Sequence, residues 1–123
     1  MLSILLLSAL MQSATLVPPT QRGSDLYESC KAGVRAMDSP TAEMNDIAEG
    51  RVCMAYIDGV TSGDNSICAD SASMGTLMRV YVAYMEKNPK MMDEPKNVGA
   101  HRAFAVEYPC PVKTTPQKQS GKK

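Results

Sequence analysis

Four cysteines are the side chains of this chain with the clearest chemical potential: Cys30, Cys53, Cys68 and Cys110. None of them forms a Cys-x-x-Cys pair, and the chain contains one histidine, so a zinc site would have few ligands. An even number of cysteines in a domain of about a hundred residues is typical of disulfides formed in an oxidising compartment. We therefore predict two disulfides, no bound metal and no cofactor.

Catalytic groups are sparse. His101 is the only imidazole and lies among apolar helical positions, where a packed or surface histidine is the usual interpretation. No glycine-rich phosphate loop, Gly-x-Ser-x-Gly elbow or His-Glu-x-x-His motif occurs. The sequence thus predicts a protein that is not an enzyme. The alternative, a small enzyme, would lose its activity on the change His101→Ala.

A polar segment lies between two of the cysteines. Cys53, Tyr56, Ile57 and Val60 share one face of a helix, and after Val60 the pattern changes to residues that bond their own backbone. This change predicts that the helix ends near Val60 and that an exposed loop follows it. The loop consists of Ser62, Gly63, Asp64, Asn65 and Ser66.

The elements that must position these groups are all helical. Apolar residues recur at helical spacing in four segments: 24–38, from 40 or 41 to 60, from about 70 to 87, and from about 95 to 108. No window alternates apolar and polar residues as a strand would. We predict an all-α fold, a small bundle of four (to five) helices stapled by two disulfides. The expected caps are Ser24 for the first helix, Ser39 or Thr41 for the second, and Asp70, Ser71 or Ser73 for the third.

Each predicted helix has an apolar face that should pack in the core. The expected faces are Leu26, Cys30, Val34 and Met37 in the first helix, Met44, Ile47, Cys53, Tyr56, Ile57 and Val60 in the second, Met74, Leu77, Met78, Tyr81, Tyr84 and Met85 in the third, and Val98, His101, Ala105 and Tyr108 in the fourth, widened there by Ala100, Ala103 and Phe104.

The disulfide connectivity follows from how the helices are arranged. In an up-and-down bundle the middles of helices one and two meet, which favours Cys30 with Cys53, and the start of helix three meets the end of helix four, which favours Cys68 with Cys110. The nested pairing, Cys53 with Cys68 and Cys30 with Cys110, stays open.

The chain divides into four parts. Residues 1–14 begin with an uncharged apolar run that is too short to span a bilayer and is typical of a signal peptide. A signal peptide usually has a Lys or Arg before its apolar run, and none is present here. Three explanations are open: a mis-called start codon, a weak signal, or a buried N-terminal strand or helix instead of a signal. We expect residues 15–23 to form an extended leader, 24–112 the helical domain and 113–123 a disordered basic tail. No cysteine directly follows the apolar run, so we expect no lipid anchor in the mature form.

Charge is uneven along the chain. The segment 111–123 holds four lysines and no acid, which leaves nine basic against 13 acidic side chains in residues 1–110, a net charge of −4 there. A body of that sign is a poor nucleic-acid binder and suits a basic protein surface.

The order of these features resembles the Rap/Tai immunity proteins of type VI secretion systems over residues 23–112. The matching segments are Cys30, Cys53-Met-Ala-Tyr-Ile-Asp-Gly-Val60, Ile67-Cys68, Tyr84-Met-Glu-Lys-Asn-Pro89 and Tyr108-Pro-Cys110.

The resemblance implies a small periplasmic all-α protein, often a homodimer, that binds and blocks a secreted peptidoglycan-cleaving amidase effector. It also implies that a protruding loop enters the amidase groove. Residues 62–66 would be that loop here, with Asp64 and Asn65 meeting a cysteine–histidine catalytic pair, and the linker 88–97 is the competing contact surface. The alternative function is a general periplasmic helical binding protein or stress chaperone with no dedicated effector.

Overall fold

A computed structural model describes residues 21–112 of the chain, and these residues form four α-helices. They are α1 (Gly23–Asp38), α2 (Met44–Gly63), α3 (Met74–Lys87) and α4 (Lys96–Glu107), with a 3₁₀ turn at Pro89–Met92. Over this range there is no strand, only two isolated bridges, so the predicted all-α fold is confirmed. The predicted signal peptide (1–14), residues 15–20 of the predicted leader and the predicted basic tail (113–123) lie outside the described residues.

The favoured disulfide pairing is confirmed. Cys30 bonds to Cys53 and Cys68 bonds to Cys110, with Cα–Cα distances of 5.0 and 4.9 Å. In the chain-entropy model, closing loops with separations of 23 and 42 residues stabilises the fold by about 3 and about 4 kcal/mol. Such contributions are large for a core of this size.

The pairing was inferred from an up-and-down bundle, in which each helix runs opposite to the preceding one. That predicted arrangement of the helices is wrong. Helix α1 packs against α2, with Cys30 beside Cys53. It also packs antiparallel to α3, because Met37 contacts Gly75 at one end and Gly23 contacts Met85 at the other. Both α2 and α3 therefore run against α1, and residues 64–73 carry the chain back between them. The length of this connection makes the arrangement possible.

Helices α1 and α2 cross very closely at two glycines. A Cβ atom added to Gly50 would lie 2.8 Å from the Cα atom of Gly33, closer than real side chains allow. The missing side chains let the two backbones approach and bring Cys30 within bonding distance of Cys53, where both cysteines are fully buried.

The rest of the core is built on α3 and α4. The Tyr81 and Phe104 rings, both fully buried, have centroids 6.5 Å apart. The Tyr81 hydroxyl donates a hydrogen bond to the Gly23 carbonyl at 3.1 Å, so this buried polar atom is satisfied. Burial raises the pKa of Tyr81 far above its ordinary value.

Two helix starts differ from the predicted ones. Helix α1 begins at Gly23 rather than Ser24, because the Asp25 carboxylate accepts the Arg22 N–H at 3.1 Å. Helix α2 begins at Met44, because the Ser39 hydroxyl accepts the Thr41 N–H at 3.2 Å and holds a local turn instead of capping the helix.

The cap of the third helix is Ser73, one of the predicted alternatives. Its hydroxyl oxygen accepts the backbone N–H of Thr76 at 3.2 Å. This bond satisfies one of the free donors in the first turn of α3.

The predicted buried faces are wrong at the helix ends. Met37 and Met44 are 46% and 80% exposed. Since Gly33 faces Gly50, the register of the crossing places Met44 beyond the last residue of α1. In α4 the prediction is correct for Ala100, Ala103 and Phe104, which are buried together with Gly99. It is wrong for His101, which is exposed, and Val98, Ala105 and Tyr108 are only half-buried.

Within residues 21–112 no helix combines the length and the apolar character needed to cross a membrane.

The glycine crossing gives a stability test. We expect Gly50→Ala to lower the free energy of unfolding by about 1–3 kcal/mol, because the new methyl group meets the Gly33 backbone. The matched control is Gly59→Ala in the same helix, where a Cβ atom meets nothing within 4 Å. That change should raise stability by up to about 1 kcal/mol. Urea unfolding followed by circular dichroism measures both, and a Gly50→Ala protein as stable as the original would contradict the crossing.

Candidate functional site

The predicted loop 62–66, called the tip from here on, is partly helical. Helix α2 continues through Ser62 and Gly63 instead of ending near Val60. The polar side chains after Val60 do not break the helix because they bond along it: the Thr61 hydroxyl donates to the Ile57 carbonyl at 2.9 Å. The non-helical part of the tip is therefore only residues 64–66.

Asp64 organises the turn. Its Oδ1 atom accepts the Ser66 backbone N–H at 2.8 Å and the Ser66 hydroxyl at 2.6 Å. Its backbone carbonyl accepts the Ile67 N–H at 3.2 Å. An aspartate that bonds the backbone two residues on is a known turn-forming arrangement. Asn65 lies at the apex, exposed, with no side-chain hydrogen bond to any described residue.

His101 ties the turn to α4. Its Nδ1 atom makes a short contact with Oδ2 of Asp64, so the two carboxylate oxygens of Asp64 are shared between the turn and α4. The hydrogen bonds from the Ser66 hydroxyl and backbone N–H, followed by the contact with His101, lower the pKa of Asp64. Sequence reasoning missed this pair, because the two residues are 37 positions apart and no spacing rule relates them.

The other side of the turn is fixed by residues 108–110, which follow α4. Ile67 is buried and forms a bridge with Pro109. The Cys68 N–H donates to the Tyr108 carbonyl at 2.8 Å, and the disulfide Cys68–Cys110 joins the same two segments. The turn is thus held on one side by α2 and on the other by a covalent bond.

The site does not have the order of contacts that activates a nucleophile. In a serine hydrolase the histidine lies between the serine and the aspartate. Here Asp64 lies between Ser66 and His101, and the Ser66 hydroxyl donates to the carboxylate rather than to the imidazole. No group of three potential metal ligands occurs in residues 21–112 either. The contacts of Asp64 with Ser66 and His101 are suited to holding the turn in one conformation.

Charge near the tip has one sign. Residues 52–78 contain Asp58, Asp64 and Asp70 but no lysine, arginine or histidine. Asp58 and Asp70 are exposed. On this segment of the chain, a partner that contacts the tip would meet only acidic charged side chains.

The competing surface, the linker 88–97, is also fixed to its neighbours. The Gly23 N–H donates to the Glu94 carbonyl at 2.8 Å, and Arg22 forms a bridge with Pro95. The Lys96 ammonium lies 4.5 Å from the centre of the Tyr56 ring. This linker lies against the start of α1, whereas the tip has an exposed apex.

A family model described as Rap1a immunity proteins matches residues 22–110 of the chain. The matched range contains all four cysteines, the whole tip and His101. No curated protein and no solved structure matches the chain.

The lowered pKa of Asp64 predicts a pH-dependent contribution to stability. A carboxylate with a depressed pKa in the folded state stabilises the fold above its unfolded pKa of about 3.9, and this contribution disappears as the pH falls through the lower folded value. We therefore expect Asp64→Asn to lower the urea midpoint more at pH 6 than at pH 3. Asp70→Asn is the control, since Asp70 is exposed and makes no side-chain hydrogen bond among the described residues. An equal loss for Asp64→Asn at both pH values would show that the ionised form has no special role.

Proposed function

Because the family model covers most of the chain, the protein belongs to the Rap1a immunity protein family, and we propose that it is a periplasmic protein that binds and blocks a peptidoglycan-cleaving amidase effector of a type VI secretion system. The observation that carries this proposal is the tip, a short exposed turn that is fixed on both sides. Binding costs less entropy when the contacting segment already has its bound shape. Two disulfides support action in an oxidising compartment such as the periplasm.

The effector-binding residues of the proposal are those of the tip: Ser62, Gly63, Asp64, Asn65 and Ser66. Their roles differ. Asp64 is engaged with Ser66 and His101, so we assign it to holding the turn rather than to contacting the amidase catalytic pair. Asn65 has an exposed side-chain amide with both donors and acceptors available, so we propose it as the leading contact with the cysteine–histidine pair.

A second candidate function has its own supporting observation. Met37 and Met54, exposed to 46 and 37%, line one depression between α1 and α2, and Met44, at the start of α2, is 80% exposed; methionine side chains adapt to differently shaped partners. This methionine surface would suit a general helical binding protein or stress chaperone, or the contact between two copies in a homodimer. Weak binding of many unfolded proteins would support the chaperone, whereas one tight stoichiometric complex would support the immunity protein.

The main test is protection against an amidase. The probe is a cysteine–histidine peptidoglycan amidase, sought first among the genes beside this one and directed to the periplasm of a test bacterium. We expect co-expression of the protein to prevent lysis and the purified pair to form a tight complex. The change Asn65→Lys should weaken binding by about 10- to 100-fold, or about 1.4–2.8 kcal/mol, because it alters the apex without removing a hydrogen bond of the fold.

The matched control is Asn45→Lys. Asn45 is also exposed and lies in the first turn of the same helix, about 25 Å from the tip at 1.5 Å per residue. The change Asn45→Lys adds the same charge as Asn65→Lys, so any effect of net charge alone appears in both variants. Equal loss of affinity for the two, or failure of the wild-type protein to bind the amidase, would contradict the proposal.

The disulfide Cys68–Cys110 gives a further test. Replacing both cysteines by serine frees one side of the turn, so we expect amidase affinity to fall at least about tenfold at 10 °C while the helical signal in circular dichroism is kept. The thermal midpoint should fall as well, because the covalent loop is lost. A doubly substituted protein that binds with unchanged affinity would show that the turn needs no covalent anchor.

A further inference from the structure

The two disulfides differ in how solvent reaches them. Cys30 and Cys53 are both 0% exposed and lie in the core between α1 and α2. Cys68 is exposed and Cys110 is half-buried, and both lie in non-helical segments. A reagent in solution can therefore contact the second bond in the folded protein, whereas contact with the first requires the core to open.

The second bond lies at the surface because the residues beside it occupy the core. Ile67 and Ala69, on either side of Cys68, are 5 and 6% exposed. Successive side chains of an extended segment point to opposite sides, so burial of these two turns the cysteine between them outward. The neighbours of the other cysteine, Pro109 and Pro111, are exposed. Both halves of the bond are thus flanked by surface.

The same bond joins the tip to the segment after α4, and two backbone hydrogen bonds accompany it. The Cys68 N–H donates to the Tyr108 carbonyl at 2.8 Å. The Cys110 N–H donates to the Ser66 carbonyl at 3.3 Å. So short a pairing is marginal without further support. We therefore expect it to open when the covalent bond is broken.

We propose that Cys68–Cys110 is a thiol–disulfide exchange site, which a dithiol reductant opens in the folded protein while Cys30–Cys53 stays oxidised. Opening frees the tip from residues 108–110 and leaves the crossing of α1 and α2 in place. Exposed disulfides are the ones that take part in exchange, whereas buried structural disulfides resist reduction.

The exchange takes two displacement steps. In the first, a thiolate of the dithiol attacks one sulfur of the bond, forming a mixed disulfide and releasing the other sulfur as a thiolate, which takes up a proton. In the second, the remaining thiol of the reductant loses its proton and displaces the protein sulfur, which is protonated in turn. The dithiol is oxidised to a disulfide, and the protein gains two electrons and two protons as two cysteine thiols.

The exchange site makes binding by the tip depend on oxidation, a consequence that rests on the proposed function. In the oxidised protein the tip is fixed on both sides. In the reduced protein it keeps its connection to α2 and the Asp64–His101 contact, so more of its freedom must be lost on binding. The buried bond keeps α1 joined to α2 throughout, and reoxidation restores the original pairing.

The first experiment asks which bond reacts in the folded protein. The oxidised protein is incubated with dithiothreitol, samples are alkylated with iodoacetamide over time, and the labelled cysteines are located by peptide mass spectrometry. We expect Cys68 and Cys110 to be labelled at least about tenfold faster than the buried pair. In about 6 M guanidinium chloride most of this difference should disappear, because unfolding removes the burial. Equal labelling rates in the folded protein would overturn the exchange site.

The second experiment measures release of the tip without the amidase. In the protein carrying Cys68→Ser and Cys110→Ser, NMR order parameters of the amides at positions 66–68 should fall from about 0.85 to about 0.6 or below. Amides around Cys53, in the middle of α2, are the internal control and should stay near the rigid value. Unchanged order parameters at 66–68 would overturn the release of the tip.

Amidase binding separates this inference from the proposed function. After selective reduction the Kd should rise at least about tenfold, and reoxidation should restore it. If the oxidised protein binds and the selectively reduced protein binds within about twofold of it, the immunity function stands and the dependence on oxidation is overturned. If labelling is selective but the oxidised protein does not bind the amidase, the proposed function fails and the exchange site stands.

Discussion

The crossing of α1 and α2 at Gly33 and Gly50 is the contact on which the other features depend. With no side chain between the backbones, the two helices lie close enough for Cys30 and Cys53 to bond. The same register carries α2 past the start of α1, so that its last turn projects beyond the core and presents the tip. A larger residue at either glycine would separate the helices and displace everything that α2 positions.

Much of the fold follows from periodicity, and the parts that do not have identifiable causes. Apolar residues at helical spacing predict all four helices, because burial of one face is what stabilises a helix in a small domain. The end of α2 was predicted too early, since Thr61 and Ser62 favour turns in general but here bond to the preceding helical turn. The direction of α3 depends on contacts between Met37 and Gly75, and such pairs are decided by packing in three dimensions.

The candidate site shows the same division between local and long-range information. A turn near residues 64–66 follows from the residue types, whereas the Asp64–His101 contact joins residues 37 positions apart. It changes the interpretation of both: the lone histidine becomes part of the turn's support, and the aspartate becomes a structural residue instead of a free contact. Asn65 is left as the polar side chain at the apex. A site that depends on such pairs cannot be assigned from spacing alone.

The two disulfides are consecutive along the chain: the first cysteine bonds to the second and the third to the fourth. If cysteines are oxidised in the order in which they enter an oxidising compartment, each newly arrived pair is already the native pair. The first bond can close once α1 and the first half of α2 have emerged, before the tip and α4 are available. Under that order of oxidation, maturation would need an oxidant but no enzyme that reshuffles wrongly paired cysteines.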